Sequence, residues 1–266
     1  MHFEAFLGYA GAFLIGLVLG LLGGGGALLT MPVLVYLFHV EASLATGYSL
    51  FLVAVTASSG ALQNIRKKLV DHNAALFYGI PSVISVYLVR RFLIPNLPPV
   101  IFSIDKFTLD KDHFILIVLS VTMFVAAYKM ISGDDKASAH GEKHKKHPVI
   151  LTLYAVLIGS LMGFIGVGGG FLMVPALIYF ANLPTRIAIG TSLVLVSANS
   201  LIGFLGDMGT HPGYNWPFLL LFSSFSVAGV LAGHYLTNFL EPEKLKKYFG
   251  WFILLIAIYI IARSAR

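Results

Sequence analysis

The chain has 266 residues, 58% of them hydrophobic and 11% charged, with a net charge of +6 and a mean hydropathy of +0.86. Soluble domains carry about 25% charged residues, so this composition excludes a soluble globule and describes a multi-pass membrane protein. The lack of cysteine excludes a disulfide framework, a thiol nucleophile and cysteine-held zinc or iron–sulfur sites, and surplus Lys and Arg in such a chain report orientation rather than a nucleic-acid partner.

In chain order the predicted elements are apolar segments at Ala5–Leu22, Gly26–Phe38, Ala42–Asn64, Asn73–Ile94, His113–Ile131, Val149–Ile165, Gly168–Ala181, Thr185–Gly206, Asn215–Asn238 and Leu245–Ala262. The start, Met1-His2-Phe3-Glu4, has no basic n-region and no usable cleavage site follows, so the first segment reads as retained. Most segments are long enough to cross a ~30 Å hydrocarbon core as helices. Gly26–Phe38 and Gly168–Ala181 reach only about 20 Å at about 1.5 Å per residue, and both begin in glycine, so they read as half-helices.

One fixed offset aligns Pro32 with Pro175, and with it Gly16/Gly159, Gly20/Gly163, Gly23/Gly166, Gly25/Gly168, Gly26/Gly169, Gly47/Gly190, Ser49/Ser192 and Gly60/Gly203. The chain is therefore expected to be an all-α membrane protein of two five-segment repeats, residues 1–131 and 149–266, joined by a charged His/Lys-rich linker at 132–148. An odd number of segments per half inverts the second repeat. Placing the Ile65–His72 loop inside puts most basic residues inside and both termini outside, with Arg90, Arg91, Lys106, Lys111, Arg263 and Arg266 on the outer face. The short segments are expected to return as hairpins, each turning at its glycines near the bilayer midplane. The remaining segments span.

The turns read Gly23-Gly24-Gly25-Gly26 and Gly166-Val167-Gly168-Gly169-Gly170, each followed by a half-helix bearing its proline. Irregular backbone in a bilayer must be surrounded by protein or line a water-filled cavity. At these turns the unpaired groups are N–H donors at helix N-termini, a combination that selects negative charge without a lysine or arginine. The candidate anion-binding residues are Gly24, Gly25, Gly26, Gly168, Gly169 and Gly170, with Thr46, Ser49, Thr191, Ser192 and Asn199 as side-chain partners. Gly16, Gly20, Gly159 and Gly163 read instead as close helix packing. Isolated Ser and Thr in these helices, Thr56, Ser58 and Ser59 in the first half and Ser197 and Ser200 in the second, read as bonding their own helix's carbonyls.

Neither turn carries the lysine of a phosphate loop. All 12 acidic residues, Asp207 among them, fall at segment ends or in loops, which leaves carboxylate proton relays, catalytic pairs and metal sites unsupported. His140, His144 and His147 lie in the linker, read as a solvated inner-face segment near anionic lipid. No cofactor, metal or catalytic residue is expected; the partners are a small anion and the bilayer, with oligomeric state open.

The paired Gly23–Pro32 and Gly166–Pro175 stretches, followed by Thr46-Gly47-Tyr48-Ser49 and Gly190-Thr191-Ser192, resemble the sulfite exporter TauE/SafE family of membrane permeases over nearly the whole chain. The resemblance implies a secondary transporter in the plasma membrane that moves sulfite, sulfonates or related sulfur anions, often outward. The residues themselves reach only as far as a small anion, and the expected mode of transport is alternating access around a central site between the two turns. Alternatives are a passive anion channel on the same site, a membrane-embedded enzyme, or a scaffold subunit. The halves are not equivalent: Gly24 stands where the second turn has Val167, and Tyr48 opposite Thr191.

Overall fold

Peptide groups in hydrocarbon find no water, so the apolar segments pair their backbones internally as helices. The computed structural model describes residues 2–104, 107–132, 148–208, 213–237 and 242–264. Its elements are α1 (His2–Leu22), α2 (Ala27–Tyr36), α3 (Ala42–Arg66), α4 (His72–Leu88), α5 (Ile94–Asn96), β1 (Val100–Ile104), β2 (Phe107–Asp110), α6 (Lys111–Ser132), α7 (Pro148–Ile165), α8 (Gly170–Ala181), α9 (Thr185–Asp207), α10 (Trp216–Leu236) and α11 (Pro242–Ser264). A π-helical turn, Val89–Leu93, joins α4 to α5. The charged linker with His140, His144 and His147 lies outside the described residues.

Among the described residues, 5 helices are long and apolar enough to cross a membrane: α3, His72–Asn96, α6, α9 and α10. Their outer faces carry large apolar side chains such as Phe77, 71% exposed, and Leu220, 59% exposed, which suit contact with lipid. One element departs from an all-helical expectation. The connection between the predicted segments Asn73–Ile94 and His113–Ile131 holds β1 and β2 as an antiparallel pair, with an irregular register between Val100 and Phe102. Its Val-Ile-Phe and Phe-Thr-Leu runs are β-branched and aromatic, and they favour strand where the chain need not span.

The core is the pair α3 and α9, which run in opposite directions. Gly47 faces Asp207, Leu50 faces Gly203, Gly60 faces Leu193 and Asn64 faces Gly190, while Ser58 Oγ bonds Ser197 Oγ at 2.6 Å. Around it α1 packs on α10, α7 on α4, and α6 on α11. Under the offset that aligns Pro32 with Pro175, α1 corresponds to α7 and α10 to α4, so the first helix of each half lies on the fourth helix of the other.

Bare glycine makes these crossings close. Gly16 sits over the Ser226 carbonyl and Gly20 over that of Val230, while Gly159 and Gly163 meet the backbones of Ser82 and Val86. The glycines read as packing positions therefore stand directly against neighbouring backbone. Hydroxyls bridge the same interfaces: Ser226 Oγ donates to Ala12 O at 3.0 Å and Ser85 Oγ to Val156 O at 2.9 Å. Gly16→Ala would drive its methyl into the Ser226 carbonyl and is expected to destabilise the protein by about 1–3 kcal/mol. Gly11→Ala, whose Cβ meets only the Val33 methyls at ordinary contact, is expected to leave the detergent-solubilised thermal midpoint unchanged or raised. Equal midpoints for the two variants would count against this packing.

Candidate functional site

Both glycine stretches bend through left-handed backbone: Gly23 has φ +72° and Gly24 +151° in the first, Gly166 +73° and Gly169 +52° in the second. Gly23 and Gly166 align under the offset that aligns Pro32 with Pro175, and glycine adopts these angles without steric cost. The half-helices begin at Ala27 and Gly170, one and two residues later than the apolar pattern suggests. Both turns are buried beside the α3–α9 pair. Gly24 and Gly170 touch backbone to backbone, Gly168 lies against Val53, Val196 and Ser200, Gly23 against Ile189, and Gly166 against Thr46. Among the described residues, the N–H groups of Gly24, Gly25, Gly26, Val167, Gly168 and Gly169 donate to no backbone carbonyl.

The residues singled out from the sequence separate into two sets. Gly24 and Gly170 meet, Gly168 lies against Val53, Val196 and Ser200, Thr46 stands against Gly166, and Ser49 is buried on α3 one helical turn beyond Thr46. Gly25 faces the Phe249 ring, Gly26 the α1 backbone at Ile15, and Gly169 the Met162 side chain, so these three pack away from the opposing turn. Ser192 Oγ donates to Gly23 O at 2.7 Å, tying the first turn to α9. Thr191 Oγ1 accepts the N–H of Asp71 at 2.9 Å, and Tyr48, aligned with it by the same offset, accepts the N–H of Asn215 at 2.9 Å. Asp71 and Asn215 are the N-caps of α4 and α10, so Thr191 and Tyr48 anchor those helix starts. Asn199 Nδ2 donates to Ser82 Oγ at 3.1 Å. Thr56, Ser58 and Ser59 each donate to a carbonyl of α3 itself, whereas Ser200, read the same way from the sequence, makes no such bond among the described residues.

Arg90 is the buried charged residue that sequence reasoning missed. Counted there as an outer-face cation, it has 0% relative exposure, while the adjacent Arg91 is exposed. The cause is the π-helical turn, in which the Ile94 N–H reaches back to Val89 O and Pro95 supplies no donor. Arg90 Nη1 donates to Thr46 Oγ1 at 2.9 Å and to Asp207 Oδ1 at 3.3 Å. Asp207, expected at a solvated segment end, is wholly buried as the last residue of α9. Its Oδ2 accepts the Tyr214 hydroxyl at 2.8 Å. Burial pushes the Tyr214 phenol up and the Asp207 carboxylate adds to the shift, so Tyr214 stays a neutral donor. Gly47 has no side chain where that carboxylate lies. The sequence signal was an Arg-Arg pair inside an otherwise apolar run ahead of Pro95.

Buried polar atoms without a hydrogen-bond partner among the described residues include Arg90 Nε and Nη2, Ser49 Oγ and Ser200 Oγ. A side chain on Gly166 would strike Arg90 Nη2, and one on Gly168 would meet Ser200 Oγ. Arg90 Nη2 and Ser200 Oγ therefore border the second glycine turn. Among the described residues no group of three or more His, Asp or Glu side chains is placed to hold a metal ion.

A bundle of long apolar helices around two buried, irregular glycine turns defines a multi-pass membrane protein of the transporter class. The chain belongs to the sulfite exporter TauE/SafE family, whose model matches residues 8–260. It is 32% identical to a "Probable membrane transporter protein" of Xylella fastidiosa (strain Temecula1), with 94% of this chain and 92% of the relative covered. It is 26% identical to the "Probable membrane transporter protein YunE" of Bacillus subtilis, over 79% of this chain and 82% of that protein. No solved structure matches the chain. Family and relatives together indicate a membrane transporter rather than an enzyme.

Proposed function

We propose that the protein is a secondary transporter of a small sulfur-containing anion, sulfite or an organosulfonate, working in the plasma membrane by alternating access around the two glycine turns. On this reading the halves are inverted repeats with both termini outside, and the half-helices return as hairpins. Opposed pairs of equivalent helices are what rocking of one half against the other requires.

The observation that carries it is the backbone contact of Gly24 with Gly170 beside the α3–α9 pair, flanked by turn N–H groups without backbone partners. Donors held in a buried, irregular segment await an acceptor, and the positive ends of two helices favour one with negative charge. Because the two backbones touch, the substrate sits beside the contact rather than between Gly24 and Gly170, and Gly168, Thr46, Ser49 and Ser200 are its nearest candidate partners. An inside-negative potential drives anion efflux without a coupling ion.

Reconstituted liposomes with sulfite, sulfate, thiosulfate, sulfoacetate or chloride inside are expected to show saturable, trans-stimulated efflux of sulfite or a sulfonate. Large unsaturating currents would favour a channel. Efflux of every anion at the rate of empty liposomes would overturn the reading.

A further inference from the structure

We propose that Arg90 is the anion-binding residue of this transporter, presenting its Nε–Nη2 edge to the second glycine turn as a two-pronged subsite for a small oxyanion. The inference rests on the anion-transport reading above and names its substrate chemistry: two oxygens on one central atom, as in sulfite or a sulfonate, and not a halide.

A guanidinium carries five N–H donors in a rigid fork, and one of its edges, Nε with Nη2, matches two oxygens of a single oxyanion. In this chain Nη1 is committed to Thr46 and Asp207, while Nε and Nη2 are fully buried and bonded to nothing among the described residues. Leaving charged donors unpaired in a buried site costs free energy, so a natural site keeps them for a ligand. Nη2 faces Gly166, where any larger residue would collide with it. Two further buried hydroxyls have no partner among the described residues: Ser49, one helical turn beyond Thr46 on α3, and Ser200, which stands at Gly168.

The other half repeats the backbone without the chemistry. At the positions equivalent to Thr46, Arg90, Ser200 and Asp207 it has Ile189, Gly233, Ala57 and Asn64, and Ser192, the counterpart of Ser49, is already bonded to Gly23 O. Binding is therefore polarised toward the second turn. Asp207 makes the site reversible: it offsets the arginine's charge from the Nη1 side, so an arriving anion meets a fixed dipole and is released again. A lone buried arginine would hold its ligand too tightly to turn over.

Purified protein in detergent tests this through its thermal midpoint as a function of sulfite, methanesulfonate or chloride concentration, since a ligand of the folded state raises the midpoint by mass action. Wild type is expected to respond to the two oxyanions and not to chloride. Arg90→Lys keeps the charge for Asp207 and loses the fork; it is expected to need about 10–100-fold more oxyanion for the same shift, the loss of one charge-assisted hydrogen bond. Ser200→Ala removes a hydroxyl with no protein partner, so its anion-free midpoint should be unchanged or higher while its oxyanion response falls. That variant decides the matter if Arg90→Lys fails to fold. Wild-type concentration dependence in either variant, or an equal response to chloride, overturns the Arg90 subsite and leaves the transport reading standing. No response of wild type to any anion, together with no liposome efflux, overturns both.

Discussion

Asp207→Ala is expected to destabilise the folded protein by about 3–5 kcal/mol, the cost of leaving a buried charge without its partner. The ion pair has 0% side-chain exposure on both sides, and no solvent is at hand to replace the lost carboxylate. Thr46 Oγ1 stays as a neutral acceptor for Arg90, and Tyr214 keeps only the long 3.5 Å bond to the carbonyl of residue 207. Fluorescence-detected size exclusion after a heating series should show the midpoint falling by many degrees, or the protein aggregating on extraction. The double variant Arg90→Met with Asp207→Leu removes both charges and is expected to recover most of the lost stability, because apolar residues of similar volume replace buried pairs at little cost. It should fold and yet move no oxyanion. An Asp207→Ala protein as stable as wild type would mean that the carboxylate does not hold Arg90.

The second large effect belongs to Gly170. A methyl there points at the Gly24 backbone, which has no rotamer through which to give way. Gly170→Ala is expected to separate the two turns at a cost of about 1–3 kcal/mol, and to reduce oxyanion efflux to near the rate of empty liposomes while protein still reaches the membrane. Gly25→Ala is the comparison. Its Cβ meets chiefly the edge of the Phe249 ring, which can move, so most transport should survive. Equal rates for the two variants would remove the Gly24–Gly170 contact from the mechanism.

Much of the helical frame was legible because its causes are local. Uninterrupted apolar runs end close to the observed helix ends, and the glycines read as packing positions stand against neighbouring backbone as their spacing suggests. The duplicated glycine turns were visible as composition alone. The ion pair was not, for a physical reason: Arg90 and Asp207 lie 117 residues apart, each near the end of an apolar run, where a charge count assigns it to water. Only the packing of α4 on α9, with the extra residue of the π-helical turn, rotates Arg90 inward. Thr191 shows the converse. Its place beside Gly190 suggested a ligand, but Asp71 at the start of α4 supplies the donor it accepts. The strands β1 and β2 are hidden in the sequence by the charges around them, Asp105, Lys106, Asp110, Lys111 and Asp112.

The exchange of first and fourth helices between the halves bears on how the chain is made. While the ribosome is still translating, α1 has already entered the bilayer with Gly16 and Gly20 bare, and α10, whose backbone covers them, emerges last but one. The first half thus waits, incompletely assembled, for most of synthesis. Neither half expressed alone has the surface that closes its own opening helix, so the gene is expected to tolerate fission into two co-produced fragments far better than loss of either one.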